Sequence, residues 1–357
     1  MSRERFLTAA EALGEDVVAR LAQLEDQVLT LDQLVANADL TEKYVEPIDF
    51  TAMDALARYV LEHGEEGWAF ARTPDDRIVC VDDVPPLDER KAGEAIVFPA
   101  THMQLVGWWL AHAWRFCDLV GTAVKTLNSW NITTAAVLSR ALIEEVGCVL
   151  YEADEISKLW AKAKSLPVEG RDAAVGNLFR GKLLEFTLGS KGLKDAFGDA
   201  EAWKAPNVME YVRKLVKRSG SKDFGTFYDF LSNAAHPSRY AKLAYQTSWS
   251  IHETGAYGLR RRARQPNGEN NEFPIAWGVA EATLLFGGEG LRLLTQALVV
   301  VDDFGLTTRS GELTLHSYWR KLMPGQRSSD ACPCGCGKWR AAKHQWGQPA
   351  PEIRLTS

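Results

Sequence analysis

Apolar residues near the start of the chain recur at spacings of three, four and seven: Phe6, Leu13, Val17, Leu21, Leu24, Val28 and Leu31. At 3.6 residues per turn they share one stripe, so the spacing predicts a helix over residues 2–36 that needs a partner for its apolar side. Met53, Leu56, Val60 and Leu61 repeat the pattern over 51–63, and Gly64 supplies the stop. Two longer periodic stretches, 103–127 and 133–164, carry Trp and Leu at helical spacing and predict the centre of a bundle. Shorter helices are expected over 173–188, over 207–218 opened by Pro206, and over 224–235 ended by Pro237. The most apolar stretch, 276–301, predicts a core helix, and an apolar-basic segment follows at 313–323.

Elsewhere the pattern changes. Residues 68–84, WAFARTPDDRIVCVDDV, place two β-favouring runs around Thr-Pro-Asp-Asp, where Pro74 presets φ and the aspartates tolerate the bend. This predicts a hairpin. Asp82, Asp83, Asp88, Glu89 and Glu94 make the next loop acidic, and with no second carboxylate run at a defined spacing it reads as solvated surface. GLRRRARQPNGENNEFP, from Gly258, has no apolar period and predicts a loop, in which Arg260, Arg261, Arg262 and Arg264 face water or RNA. The expected fold is mainly α: a helical bundle with a small β-hairpin insertion and, where Cys332, Cys334, Cys336 and His344 cluster as metal-binding side chains do, a C-terminal zinc knuckle. It divides into an N-terminal helical region with the hairpin (1–100), the bundle body (101–323), and a linker with the knuckle (324–357).

Composition narrows the class. With 357 residues, 46% hydrophobic and 25% charged, the chain can bury a large core. A net charge of -6 argues against a polyanion-binding surface over the whole molecule, and leaves room for a local basic patch. The first residues lack the apolar core of a signal peptide. Glu281, Glu289, Arg292, Gln296 and four glycines interrupt 276–301, so no membrane span is expected there. Cys80, Cys117 and Cys148 are scattered among apolar residues as reduced thiols, which fits a cytoplasmic location. The chain contains no phosphate-binding glycine loop, HExxH or G-x-S-x-G.

The other three cysteines fall within five residues. Cys332, Cys334 and Cys336 alternate with Pro333, Gly335 and Gly337, and His344 lies eight residues beyond Cys336. Tight-turn residues that fold thiolates onto one point, with an imidazole nearby, supply the four ligands of a structural zinc site. Residues 330–347 resemble the SEC-C zinc-binding motif, found at the C-terminus of the SecA translocation motor and appended to many bacterial proteins. The resemblance rests on Cys332, Pro333, Cys334, Gly335, Gly337, Lys338 and His344. Lys343 stands where the family has its third cysteine and Cys336 where it usually has serine, so the implied set is Cys332, Cys334, Cys336 and His344; the alternative is a decayed motif. Six Lys or Arg (Arg320, Lys321, Arg327, Lys338, Arg340, Lys343) face one acid, Asp330, with Trp339 and Trp346 interleaved. That surface suits an acidic protein, a ribosome or RNA, and the resemblance implies docking on proteins, ribosomes or lipid headgroups. The sequence leaves a homodimer open.

In the body, Arg140 and Glu144 share one face of the 133–164 helix, and Tyr228, Ser232 and His236 share one face of the 224–235 helix and its end. Packed together they would form a buried hydrogen-bonded seam, either an ion pair with a helix-capping histidine or a catalytic site. R-A-L-I-E from Arg140 and Y-x-x-L-S-x-x-x-H-P-S from Tyr228 resemble an uncharacterised bacterial all-helical family distantly related to HEPN nucleases and met near defence genes. HEPN ribonucleases pair an Arg with a His four to six residues away at a helix end. His236 has no such arginine upstream, and Arg309 with His316 match only the spacing. The two expected functions are an intracellular interaction or sensing protein in phage defence or stress, docking through its zinc tail, and a metal-independent HEPN-like ribonuclease.

Overall fold

The computed structural model describes residues 8–36, 44–45, 68–72, 78–82, 98–166, 174–175, 179–188, 206–220, 223–236, 246–251, 253–261 and 274–308. The expected helices at 51–63 and 313–323, most of the acidic loop, Arg262, Arg264, Arg309, His316 and the expected zinc ligands Cys332, Cys334, Cys336 and His344 lie outside the described residues. Among the described residues the fold is mainly α, as the apolar periodicity predicts.

The N-terminal stripe forms two helices, α1 (Ala9–Leu13) and α2 (Glu15–Val35), where the spacing alone predicts one. Gly14 separates them at φ 89, a left-handed value that ends α1 and that residues with a Cβ rarely adopt. Thr8 opens α1 with a capping box: its hydroxyl accepts from Glu11 N at 3.3 Å, while Glu11 Oε2 accepts from Thr8 N at 2.8 Å. The stripe survives the break, because Leu13, Val17, Leu21, Leu24, Val28 and Leu31 are all buried.

The long helices α3 (Phe98–Asn128) and α4 (Ile132–Lys164) fall where the Trp- and Leu-rich periods place them, and Asn131 caps α4 by accepting from Thr134 N. They pack on each other and on α8 (Pro274–Thr308), and α2 closes the bundle against α3 and α8. Ile275–Gly305 is long and apolar enough to cross a membrane. Its most apolar window is largely buried, and Thr283, Thr295, Gln296, Asp302 and Asp303 lie inside the bundle with it, which is the pattern of a core helix.

Three shorter helices decorate this core. α5 (Arg180–Leu188) touches α3 and α4, while α6 (Val208–Ser219) and α7 (Asp223–Ala235) pack on α4 and on each other. Pro206 precedes α6, as expected, and Asn207, expected as the first helical residue, is the cap, accepting from Met209 N at 3.1 Å.

Strands β1 (Tyr44–Val45), β2 (Trp68–Arg72) and β3 (Ile78–Asp82) form an antiparallel sheet in the order β1-β3-β2, with Phe70 opposite Cys80. The turn expected at Thr-Pro-Asp-Asp lies outside the described residues. β4 (Gln246–Ile251) and β5 (Tyr257–Arg261) pair antiparallel as well, with a register shift between Gln246 and Trp249. Residues 258–261, read from composition as loop, are thus strand: the hydrogen-bonding partner is supplied by 246–251, which composition does not reveal.

Candidate functional site

The seam expected between α4 and α7 forms, and four of its five residues meet. Arg140 donates from Nε to Glu144 Oε1 at 3.2 Å, from Nη1 to His236 Nε2 at 3.1 Å, and from Nη2 to the Tyr228 hydroxyl at 3.4 Å. Tyr228 in turn donates to Glu144 Oε1 at 3.1 Å, and its ring lies 5.5 Å from the guanidinium carbon. Burial opposes the Arg140 charge, but Tyr228 and Glu144 outweigh it and hold the guanidinium pKa above its ordinary value.

Two details correct the expected picture. The cluster is not fully buried: the Arg140 and Glu144 side chains are 27% and 26% exposed and His236 is exposed, because α7 ends there and only Tyr228 points into the core. Ser232 contributes its carbonyl oxygen, which accepts from His236 N at 3.1 Å, and its hydroxyl bonds to none of the other four among the described residues. One turn of helix separates the Ser232 and His236 positions, and the carbonyl is the group that faces along the axis.

A second constellation, deeper in the body, escaped the sequence reading. His112 on α3 lies between two carboxylates of α4: Nδ1 is 2.6 Å from Glu145 Oε1 and Nε2 is 3.0 Å from Glu152 Oε2. Both ring nitrogens face acceptors, so the imidazole is doubly protonated here. Burial pushes the His112 pKa down, but the hydrogen bonds and charges of Glu145 and Glu152 overcome it and raise it from 6.5 to about 9. Trp108 Nε1 donates to Glu152 Oε2 at 2.6 Å, and the Cys148 thiol donates to Glu152 Oε1 at 3.2 Å. Arg115, largely exposed, holds Glu145 Oε2 at 2.7 Å from the rim.

Burial, and then the charges of Glu152 and Glu145, push the Cys148 thiol pKa far above its ordinary value. The Tyr211 hydroxyl of α6 makes a hydrogen bond to the same sulfur. Tyr211 gets there because Gly147 lets α6 approach: a Cβ on Gly147 would sit 2.9 Å from the Tyr211 carbonyl oxygen. A backbone atom cannot rotate aside, so Gly147→Ala must move α6 off α4. The overpacking cost of about 1–3 kcal/mol exceeds the gain in helix propensity of about 1 kcal/mol, and equilibrium urea unfolding is expected to show net destabilisation.

The sequence does carry a signal for this constellation. Glu145, Cys148 and Glu152 follow at spacings of three and four on one face of a helix expected at the bundle centre, opposite Trp108, His112 and Arg115 at four and three. His112, Cys148 and Glu152 bring one ligand atom each within 4.8 Å of one another, so among the described residues they form a group that could hold a metal.

Polar groups also gather at the end of α8. Asp303 Oδ2 accepts from Trp160 Nε1 at 2.5 Å and from Lys164 Nζ at 3.1 Å. Its neighbour Asp302 is buried, and among the described residues neither of its carboxyl oxygens nor the Nε2 of His102, buried on Phe304, has a hydrogen-bond partner.

No family model matches the chain, and no curated protein or solved structure matches it. The SEC-C and HEPN resemblances accordingly rest on the residues that carry them.

Proposed function

We propose that this is an intracellular interaction or sensing protein, a helical body carrying a zinc-folded tail that docks on an acidic partner. Zinc on Cys332, Cys334, Cys336 and His344 would fill all four positions of a structural site and fold the tail without doing chemistry. The basic and aromatic residues around it would face an acidic protein, a ribosome or RNA in the cytoplasm. The observation that carries the non-catalytic reading of the body is the internal pairing of the seam. Glu144 receives both Arg140 and Tyr228, and the Nε2 of His236 accepts from Arg140, so the groups tie α7 to α4.

A second reading, a HEPN-like ribonuclease, has its own support in the convergence of Arg140, Tyr228 and His236 at an exposed helix end. In that reading His236 takes the proton from a ribose 2′-hydroxyl and Arg140 holds the phosphate. One experiment separates the two. Labelled RNA is incubated with the full chain and with His236→Ala in the presence of EDTA. The interaction reading predicts no cleavage by either protein. Cleavage by the wild type that falls at least about 100-fold in the variant, as expected for loss of an acid-base group, would replace it with the nuclease.

A further inference from the structure

Two neighbouring protons, on His112 Nε2 and on the Cys148 sulfur, are both directed at the Glu152 carboxylate, at 3.0 and 3.2 Å. We propose that His112, Cys148 and Glu152 form a binding site for a zinc-like divalent transition metal, separate from the tail, in which the ion takes the place of those two protons.

The ligand chemistry fits. An imidazole nitrogen, a thiolate and a carboxylate are the three donor types zinc accepts, and a mixed set of borderline softness favours zinc over the hard cations that prefer oxygen alone. With bond lengths of about 2.0–2.3 Å, donor atoms around one tetrahedral zinc stand about 3.3–3.7 Å apart. Glu152 Oε2 lies 3.0 Å from the imidazole nitrogen and Oε1 lies 3.2 Å from the sulfur. With one oxygen taken as the ligand, no pair of the three donors is farther apart than 4.8 Å, so a side-chain adjustment of about an ångström closes the set around one ion. The ligands project from α3 and α4, two long helices at the bundle centre, rather than from loops, so their positions are set by core packing.

The surrounding residues fit as well. Glu145 accepts from His112 Nδ1, the carboxylate–histidine arrangement that fixes an imidazole so that Nε2 faces a metal, and Arg115 holds the other Glu145 oxygen. Trp108 donates to Glu152 Oε2, the oxygen that also faces His112, and so holds the carboxylate in place. The charges balance in both states. Protonated His112 and Arg115 offset Glu145 and Glu152 without metal, and exchanging two protons for one divalent cation leaves the sum unchanged. That exchange needs no compensating ion, which matters where side chains are only 5% exposed, as for Glu145 and Glu152. Three protein ligands leave a fourth position for water or a small ligand.

The test uses the full chain with Cys332, Cys334 and Cys336 replaced by Ser and His344 by Ala, freed of metal and titrated with zinc alone at pH 7 in dilute buffer with a pH indicator. The expected result is saturable uptake of one zinc per chain with release of two protons. Adding Cys148→Ser, a near-isosteric change, should weaken binding at least ten-fold and reduce the release to one proton. A tail-substituted chain with native helical circular dichroism and no saturable uptake overturns the proposal, as does uptake that Cys148→Ser leaves unchanged. The unsubstituted chain identifies which site fails. Two zinc ions support both sites. One ion that vanishes with the tail substitutions leaves only the tail, and one that persists leaves only this site.

Discussion

Replacing His112 by Ala is expected to cost the fold about 3–5 kcal/mol, the range for removing one partner from a buried charge cluster. The loss comes from what remains: Glu145 and Glu152, whose side chains are 5% exposed, would keep the neutral donors Trp108 and Cys148 and, among the described residues, one cation, Arg115 at the rim. The pH dependence distinguishes this from simple loss of packing. The folded-state pKa of His112 is raised, so its stabilisation is fully present below the unfolded value of 6.5 and is lost as pH rises through about 9. That interval corresponds to about 3 kcal/mol. Urea unfolding in the presence of a chelator, repeated between pH 6 and 10, should show this alkaline decline in the wild type and not in His112→Ala. A decline of the same size in both would refute the assignment.

Asp302→Asn is expected to stabilise the protein at neutral pH. Burial, and secondarily the Asp303 charge, raise the Asp302 pKa well above its ordinary value, and among the described residues neither carboxyl oxygen has a hydrogen-bond donor. An acid whose folded pKa is raised binds its proton more tightly in the native state. Its presence therefore lowers stability progressively as pH rises from the unfolded value of 3.8 towards the folded one, by about 1.4 kcal/mol per pH unit. Near pH 4 the variant and the wild type should unfold alike; at pH 7 the variant should be the more stable. Nearby His102 acts in the opposite sense. Burial outweighs its bond to the Val301 backbone and lowers its pKa from 6.5 to about 4, so native stability falls as pH drops below 6.5. In the wild type the two slopes oppose each other between pH 4 and 6.5. Asp302→Asn should unmask the His102 slope as a loss of about 3 kcal/mol over that interval. Equal stability of variant and wild type at pH 7 would show that Asp302 has a partner there.

The helices were legible because burial selects residues at a fixed period. α3, α4, α6 and α7 begin and end close to where apolar spacing and Asn or Pro punctuation place them. Departures occur where one residue's backbone or a distant segment decides. Gly14 splits a continuous stripe through a single positive φ, and β5 is a strand because 246–251 lies beside it.

The polar sites divide in the same way. Arg140 with Glu144, and Tyr228 with His236, stand out because each pair shares a helix face, and their meeting follows once α7 packs on α4. His112 is different: it sits 33 residues from Glu145 and 40 from Glu152. Its protonation, its carboxylate partners and its closeness to Cys148 exist only because α3 lies along α4. Local sequence determined which faces are apolar and where the helices start and stop, since those depend on neighbours within a turn or two. Tertiary structure alone decided which buried polar groups meet and which, like Asp302, have no hydrogen-bond partner among the described residues, because hydrogen bonds and charge interactions act over a few ångströms whatever their separation along the chain.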